Sequence, residues 1–583
     1  MKNLFLLACL LAMFQILPAQ TESWPQKIDP ALLENLAADQ EAPFIAVLKQ
    51  QADVSAARQL KTKDEKATYV FNQLSQTALS TQAGLIAFLE QKNVAYQSLF
   101  IVNAIEASGD MALLEELAQR PDVGQIIANP TSRFDAPVDR GGTSERTIEW
   151  GIEKINADDV WAMGYQGQGV TVGGQDTGYE WEHPALKNEY RGYDTLTGTA
   201  DHNYNWHDAI HSISPLASDS LNPCGLDSPF PCDDHNHGTH TMGTMVGLDG
   251  DNEIGVAPGA KWCACRNMER GNGSPFTYLE CFQWFIAPTD LNNENPDPTK
   301  APHVVNNSWY CSAGEGCNAT NLQLMNLAVN NLRLAGTVVV VSAGNSGSGC
   351  SSIADPPALF ESSFSVGATD INDTIAGFSS RGPVMADGSG RLKPNVSAPG
   401  VFVRSSIRNG GYANFSGTSM AGPHVVGLVA LMISANPDLA GQVDTIENII
   451  ERTAVPLFTD QECGGVPGTL TPNNTYGYGR VDALAAVAEA LSLVVSQSVE
   501  EIAGEVSVYP NPFSDMLYFK LGDKPGTVQI EMLDMNGRLL LERRYDSFQG
   551  GVQSINLAHF PTGVYYYRLL QNGNVLRGKV VKK

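Results

Sequence analysis

The stretch Asn414-Phe415-Ser416-Gly417-Thr418-Ser419-Met420-Ala421-Gly422-Pro423-His424 runs straight into Val425-Val426-Gly427-Leu428-Val429-Ala430-Leu431-Met432-Ile433. An apolar run of that length, stopped at Asn436-Pro437, predicts a buried helix with Ser419 at its N-terminal end. Free backbone N–H groups gather at a helix start, and the helix dipole favours negative charge there. Gly417 and Ala421 leave room for another chain to approach. By itself, the pattern equally describes a serine that caps a core helix.

Three other polar motifs follow apolar runs. Gly174-Gln175-Asp176-Thr177-Gly178 follows Gly169-Val170-Thr171-Val172. Asp233-Asp234-His235-Asn236-His237-Gly238-Thr239-His240 precedes a helix of small residues. Ser342-Ala343-Gly344-Asn345-Ser346-Gly347 follows Val338-Val339-Val340-Val341. Singly, each reads as a turn or cap. Together they supply one chemistry. A serine is a weak nucleophile until a base takes its proton. A histidine titrates in the right range, and a carboxylate fixes its tautomer. An Asn amide and a helix-start N–H can receive an oxyanion. The three histidines lack the i, i+4 pairing around a glutamate that zinc peptidases use.

Short valine-rich runs alternate with amphipathic segments from Glu149 to Leu493, including His303-Val304-Val305-Asn306 and a helical pattern over 322–334. This predicts an α/β domain whose parallel sheet is buried on both faces. Ligands bind such sheets beyond the carboxyl ends of the strands, where the polar motifs fall. Ahead of it, strand 42–48, helix 64–91, strand 95–108, helix 111–118 and strand 123–128 predict a small α+β sandwich of split-βαβ type. The linker 129–148 has the composition of a loose, cleavable segment. After a second linker, 494–505, residues 506–583 alternate as a β-sandwich.

Residues 1–19 predict a secretory signal peptide: Lys2, the apolar 4–17, then Pro18-Ala19. No later segment has the length and apolarity to span a bilayer. With 37 Lys and Arg against 63 Asp and Glu, the net charge of −26 disfavours nucleic acid as a partner. Nine of the ten cysteines lie beyond the signal. Export permits disulfides, and Cys224/Cys232 and Cys311/Cys317 are the close pairs across loops. Cys263, Cys265, Cys281, Cys350 and Cys463 remain, an odd number.

The order Asp176…His237…Asn345…Ser419 is that of subtilisin. The motifs Asp176-Thr177-Gly178, His237-Gly238-Thr239-His240, Ala343-Gly344-Asn345 and Gly417-Thr418-Ser419-Met420-Ala421 resemble the subtilisin-like serine peptidases (family S8). Trp161, Gly169-Val170 and Asn307-Ser308-Trp309 resemble their bacillopeptidase F-like branch. The resemblance implies Ser419 as nucleophile, His237 as general base, Asp176 as orienting carboxylate and Asn345 as oxyanion donor. It implies Asn307, Ser308 and Trp309 as a substrate-binding strand, Ala343 and Gly344 as a wall of the S1 pocket, and Asp355 near its floor. His235 and His240 are left as structural residues or as neighbours that support the catalytic groups. Residues 20–148 resemble the family's propeptide, which would be this chain's own inhibitor and folding aid. No cofactor is implied for the chemistry; structural Ca²⁺ is common among relatives, with no ligands assignable here.

Gly174-Gln175 departs from the apolar residues usual before the aspartate. At the far end, Tyr509-Pro510-Asn511-Pro512-Phe513, Asp534-Met535-Asn536-Gly537, Pro561-Thr562-Gly563-Val564-Tyr565 and the terminal Lys579-Val580-Val581-Lys582-Lys583 resemble the C-terminal sorting domain of type IX secretion. That implies export by a Gram-negative bacterium through its type IX machinery. The expected protein is a secreted serine endopeptidase made as a zymogen and acting on polypeptides. The rival expectations are a catalytically silent peptide-binding surface protein and an adhesin.

Overall fold

The computed structural model describes residues 24–38, 40–133, 147–217, 222–313, 316–497, 506–521, 526–533, 539–549, 551–571 and 574–583. The predicted signal peptide, most of both linkers and the turn at 535–537 lie outside them.

The N-terminal module contains β1 (Ala42–Leu48), α1 (Lys63–Gln91), β2 (Tyr96–Leu99), β3 (Ala104–Gly109), α2 (Met111–Gln119) and β4 (Val123–Ala128). Its four strands form an antiparallel sheet in the order β2-β3-β1-β4. The single strand expected over 95–108 is a hairpin, with Leu99 opposite Ala104. The turn, Phe100-Ile101-Val102-Asn103, contains no glycine or proline. Gln283, from the next domain, accepts hydrogen bonds from the backbone N–H groups of Phe100 and Ile101 at 2.5 and 3.2 Å. A partner 182 residues away satisfies the turn, so local sequence did not reveal it.

The central domain carries β5 (Thr171–Asp176), β6 (Trp206–Asp208), α3 (His237–Val246), β7 (Lys261–Arg266), α4 (Pro275–Ile286), β8 (Val304–Asn307), α5 (Ala319–Leu334), β9 (Val338–Ser342), β10 (Phe364–Thr369) and β11 (Val396–Pro399). Then come the hairpin β12 (Val403–Ile407) and β13 (Gly411–Phe415), and the helices α6 (Thr418–Ala435), α7 (Val443–Thr453) and α8 (Ala483–Gln497). Seven strands form one parallel sheet in the order β11-β10-β9-β8-β5-β7-β6. Strand alternation sorts the valines. Val338 and Val340 join the core beneath α3 and α6, whereas Val339 and Val341 join the core beneath α4 and α5. Both faces are covered, which is why these runs are apolar throughout.

α6 is the only helix among the described residues with the length and apolarity of a membrane span, and it is 94% buried inside the domain. It packs against five strands of the sheet, β5, β8, β9, β10 and β11, and is its central support. The second core is shared with the N-terminal module. Ile45, Leu74, Leu99, Ile101, Val102 and Ile127 pack in one cluster with Phe282, Phe285, Val329 and Leu332.

Four disulfides are formed: Cys224–Cys232 and Cys311–Cys317 as expected, and Cys265–Cys281 and Cys350–Cys463 from the remainder. Cys263 is the free, buried thiol among the described residues.

The C-terminal module has β14 (Ser507–Tyr509), β15 (Met516–Leu521), β16 (Gly526–Leu533), β17 (Leu539–Phe548), β18 (Gly551–Asn556), β19 (Gly563–Gln571) and β20 (Asn574–Lys582). A three-stranded sheet β14-β15-β18 and a four-stranded sheet β17-β16-β19-β20 enclose one apolar core, the expected sandwich.

Candidate active site

Asp176 is the last residue of β5, an interior strand of the sheet, and is fully buried. Its carboxylate can only accept, so His237 Nδ1 carries the proton it shares with Oδ1 at 2.7 Å and Oδ2 at 2.9 Å. That tautomer leaves Nε2 as the basic nitrogen. The Thr177 N–H also donates to Asp176 Oδ1, at 2.7 Å.

His237 is the first residue of α3, and sequence reasoning missed what fixes it there. Asp233 accepts from the backbone N–H groups of His235, Asn236 and Thr239 and from the hydroxyls of Thr177 and Thr239, at 2.6–3.1 Å. It caps the helix and ties it to the residue beside Asp176. The available signal was an aspartate four residues before the histidine, at a helix start. His240 is structural, as expected. Its Nε2–H donates to the carbonyls of Val403 and Ala413, both at 3.1 Å, and its ring stacks on Phe415 at 4.3 Å. Burial, with His237 nearby, pushes its pKa down to about 3. Burial and His237 also lower His235.

Gly174-Gln175 has a structural reason. A Cβ on Gly174 would lie 2.4 Å from the Tyr179 hydroxyl, which fills that space. Gln175 donates to Asn307 Oδ1 at 2.5 Å and accepts from Asn267 at 3.1 Å, bridging β8 to the end of β7.

Ser419 is the second residue of α6 and is 2% exposed. Its hydroxyl donates to the Ser308 carbonyl at 3.5 Å, and the Ser308 hydroxyl donates to the Ser419 carbonyl at 3.1 Å. Pro423 explains the second bond. It lies four residues on and has no N–H, so the Ser419 carbonyl loses its usual helical partner and is open to Ser308. Asn345 meets the same helix start. Its Oδ1 accepts the backbone N–H and the hydroxyl of Thr418 at 3.0 and 2.9 Å, which fixes the amide so that Nδ2 points elsewhere. A Cβ built on Gly417 would stand 3.6 Å from Ser419 N and 3.7 Å from Asn345 Nδ2. Two N–H donors therefore border one small space, kept open because residue 417 has no side chain.

The remaining candidates separate. Ala343 is buried in the sheet end, and Gly344 is held by Ser380, whose N–H donates to the Gly344 carbonyl at 2.9 Å. Asp355 is half-buried, and the next residue's carbonyl accepts the Cys311 N–H at 3.3 Å. Asn307 is turned inward: its Nδ2 donates to the carbonyls of Val305 and Val340 at 3.3 and 3.0 Å. The Trp309 ring stacks on Tyr278 with centroids 3.8 Å apart. Asn272-Gly273 carries an added strand, paired antiparallel with Arg133 and Ser132 of the N-terminal module. Sequence reasoning missed it; the glycines of Gly271-Asn272-Gly273, which allow close backbone approach, were the available signal.

The Subtilase family profile matches residues 167–479, more than half of the chain. The chain belongs to the subtilase family. The Secretion system C-terminal sorting domain profile matches residues 507–583 of this subtilase. It is 37% identical to Bacillopeptidase F of Bacillus subtilis over 496 residues, 82% of this chain and 32% of that protein. The chain thus spans about a third of the length of that relative. It is 31% identical to Subtilisin DY of Bacillus licheniformis over 315 residues, 54% of this chain and 93% of that protein. Alkaline elastase YaB of a Bacillus species is 31% identical over 348 residues. Among the described residues of this subtilase, no group of three or more His, Cys, Asp or Glu side chains could hold a metal ion.

Proposed function

We propose that this subtilase is a serine endopeptidase that cleaves polypeptides through an acyl-enzyme and is exported as an inhibited precursor. The observation that carries the reading is the convergence of Ser419 N and Asn345 Nδ2 beside Gly417, at the residue that follows the Asn345–Thr418 clamp. In this reading, Ser419 Oγ attacks the substrate carbonyl and His237 Nε2 takes its proton. Asp176 keeps the other ring nitrogen protonated and stabilises the imidazolium. The carbonyl oxygen, now negative, enters the space beside Gly417 and receives both N–H groups. His237 then gives its proton to the leaving amine, and water repeats the sequence to release the acid.

The N-terminal module acts as the propeptide. Its chain is delivered to the catalytic domain at Ser132-Arg133, and processing falls in the linker beyond. Asp355 at the S1 floor gives a preference for Lys or Arg before the scissile bond, lost in Asp355→Ala. The sorting domain directs the chain through type IX machinery, across the outer membrane of a Gram-negative bacterium. The test is a fluorophosphonate probe on the processed protein. Labelling at Ser419, abolished in Ser419→Ala together with self-processing, is the expected result. An unlabelled, correctly folded protein would instead be a silent peptide binder.

A further inference from the structure

Asn307 stands opposite Gln175 in the last paired position of β8 and β5. Both side chains are fully buried. A Cβ on Gly173 would meet Phe285 and Val305 at 3.0 and 3.2 Å, on the side of the sheet covered by α4 and α5. Strand alternation puts Gln175 and Asn307 on that same side and Asp176 on the other. The hydrogen bonds of these amides fix one another's direction. Asn307 Nδ2 donates to the carbonyls of Val305 and Val340, so Oδ1 is turned toward β5. Gln175 must meet that oxygen with Nε2, at 2.5 Å, which leaves Oε1 to accept Asn267 Nδ2 at 3.1 Å. Asn267 follows β7, and its backbone N–H donates to the Asp176 carbonyl at 3.0 Å. Three side-chain amides thus run across the ends of β7, β5, β8 and β9, where the backbone pairing of β5 with β8 stops.

We propose that Gln175 and Asn307 are positioning residues: their side-chain bond sets the separation of Asp176 and Ser308, and through Ser308 the place of Ser419. This deepens the peptidase reading and rests on it. Each of the two is the chain neighbour of a residue in the site. Asp176 holds His237, and the Ser308 hydroxyl donates to the Ser419 carbonyl at 3.1 Å. That hydroxyl is itself held, accepting Asn306 Nδ2 at 2.9 Å. A pair of apolar side chains would fill the same space without burying two amides. Only the hydrogen-bonded pair ties β5 to β8 at one distance, and a fully satisfied buried network is rigid. Reacting groups are sensitive to displacements of about 1 Å, so a tie at this point bears on rate.

The test uses the processed protein with Gln175→Leu, Asn307→Leu, and both together. Each single variant leaves a buried amide without its partner and should unfold at a lower urea concentration. The double variant should regain most of that loss, because no amide is left unpaired. Activity should not follow stability. With a chromogenic peptide, kcat should fall about tenfold in all three, the double variant included, with KM within about twofold. The rate of fluorophosphonate labelling at Ser419 should fall by the same factor. The acid limb of the kcat profile should not move, because Asp176 and His237 keep their own bonds. A merely structural pair would recover kcat together with stability in the double variant, and that result would overturn the proposal. So would unchanged kcat in all three variants, a change confined to KM, a shifted acid limb, or a double variant that does not fold. Where a single variant does not fold, the double variant still decides. Labelling of the unsubstituted protein separates the causes. Label there with variants labelled equally fast defeats this inference alone; absence of label there defeats the peptidase reading and this inference with it.

Discussion

Thr418 grips the side-chain oxygen of Asn345 twice, through its N–H at 3.0 Å and its hydroxyl at 2.9 Å. An amide held by its oxygen must present its nitrogen to the other side, and Asn345 Nδ2 borders the space beside Gly417. Asn345→Ala is expected to lower kcat by about 10²–10³, or ~2.7–4 kcal/mol, with little change in KM. Thr418→Val keeps the backbone bond and loses the hydroxyl bond, so it should reduce kcat by about three- to tenfold. Steady-state kinetics on both variants separate the two effects. A Thr418→Val enzyme that changes KM and not kcat would contradict the positioning role.

The N-terminal module is anchored far from the cleft by two lysines. Lys63 Nζ donates to the Ala301 carbonyl and Lys66 Nζ to the Gly441 carbonyl, each at 2.6 Å and buried. Hydrogen bonds from charged donors contribute about 1.5–3 kcal/mol. The Lys63→Met/Lys66→Met double variant should therefore release its inhibition at least about tenfold more readily. The check is the lag before activity appears when the full chain hydrolyses a small chromogenic peptide. An unshortened lag counts against the anchor.

Two buried histidines govern part of the acid response. Burial brings His240 to about 3 and His424 to about 4, below the ordinary 6.5. The unfolded chain takes up protons near 6.5 that the folded chain refuses. Their contribution to stability is thus complete above pH 6.5 and is lost progressively as pH falls toward 4 and then 3. Asp234, raised to about 7 chiefly by burial, acts in the opposite sense: its contribution is complete below 3.8 and fades as pH rises through 7. A comparison isolates the imidazole. Between pH 6.5 and 4, His424→Gln should flatten the fall in stability by up to ~1.4 kcal/mol per pH unit. Denaturant titrations at each pH give the slope, and parallel curves for wild type and variant would refute the assignment.

Thiol counting checks the disulfide pattern. Cys263 is buried within the sheet, and burial raises its pKa, so no thiol of the native processed protein should react with Ellman's reagent. After unfolding without reductant, Cys263 alone should titrate. Two or more thiols would mean that one of the four bridges is absent in solution.

Much of this architecture was legible in the sequence because its signals are local. The valine runs announced the buried parallel sheet, Asn436-Pro437 ended α6, and the order Asp176, His237, Asn345 and Ser419 named the chemistry. The hairpin at 100–103 was not legible, because Gln283 completes it from another domain. Asn307 was expected on a strand that pairs with substrate through its backbone; what the sequence did not show is that two carbonyls hold its side-chain amide inside the sheet. Ser132-Arg133 of the N-terminal module lies along Asn272-Gly273.

Sequence alone determined that Ser419 begins a buried helix and that three other motifs could serve it. Helix starts, strand ends and glycine turns are encoded within a few residues of where they occur. Only tertiary structure decided which way the Asn345 amide faces, what occupies the Ser419 carbonyl once Pro423 denies it a helical bond, and which strand ends the Gln175 and Asn307 side chains join. Each depends on groups brought together from distant parts of the chain, and a hydrogen bond or a ring stack exists only at the distance the whole fold imposes.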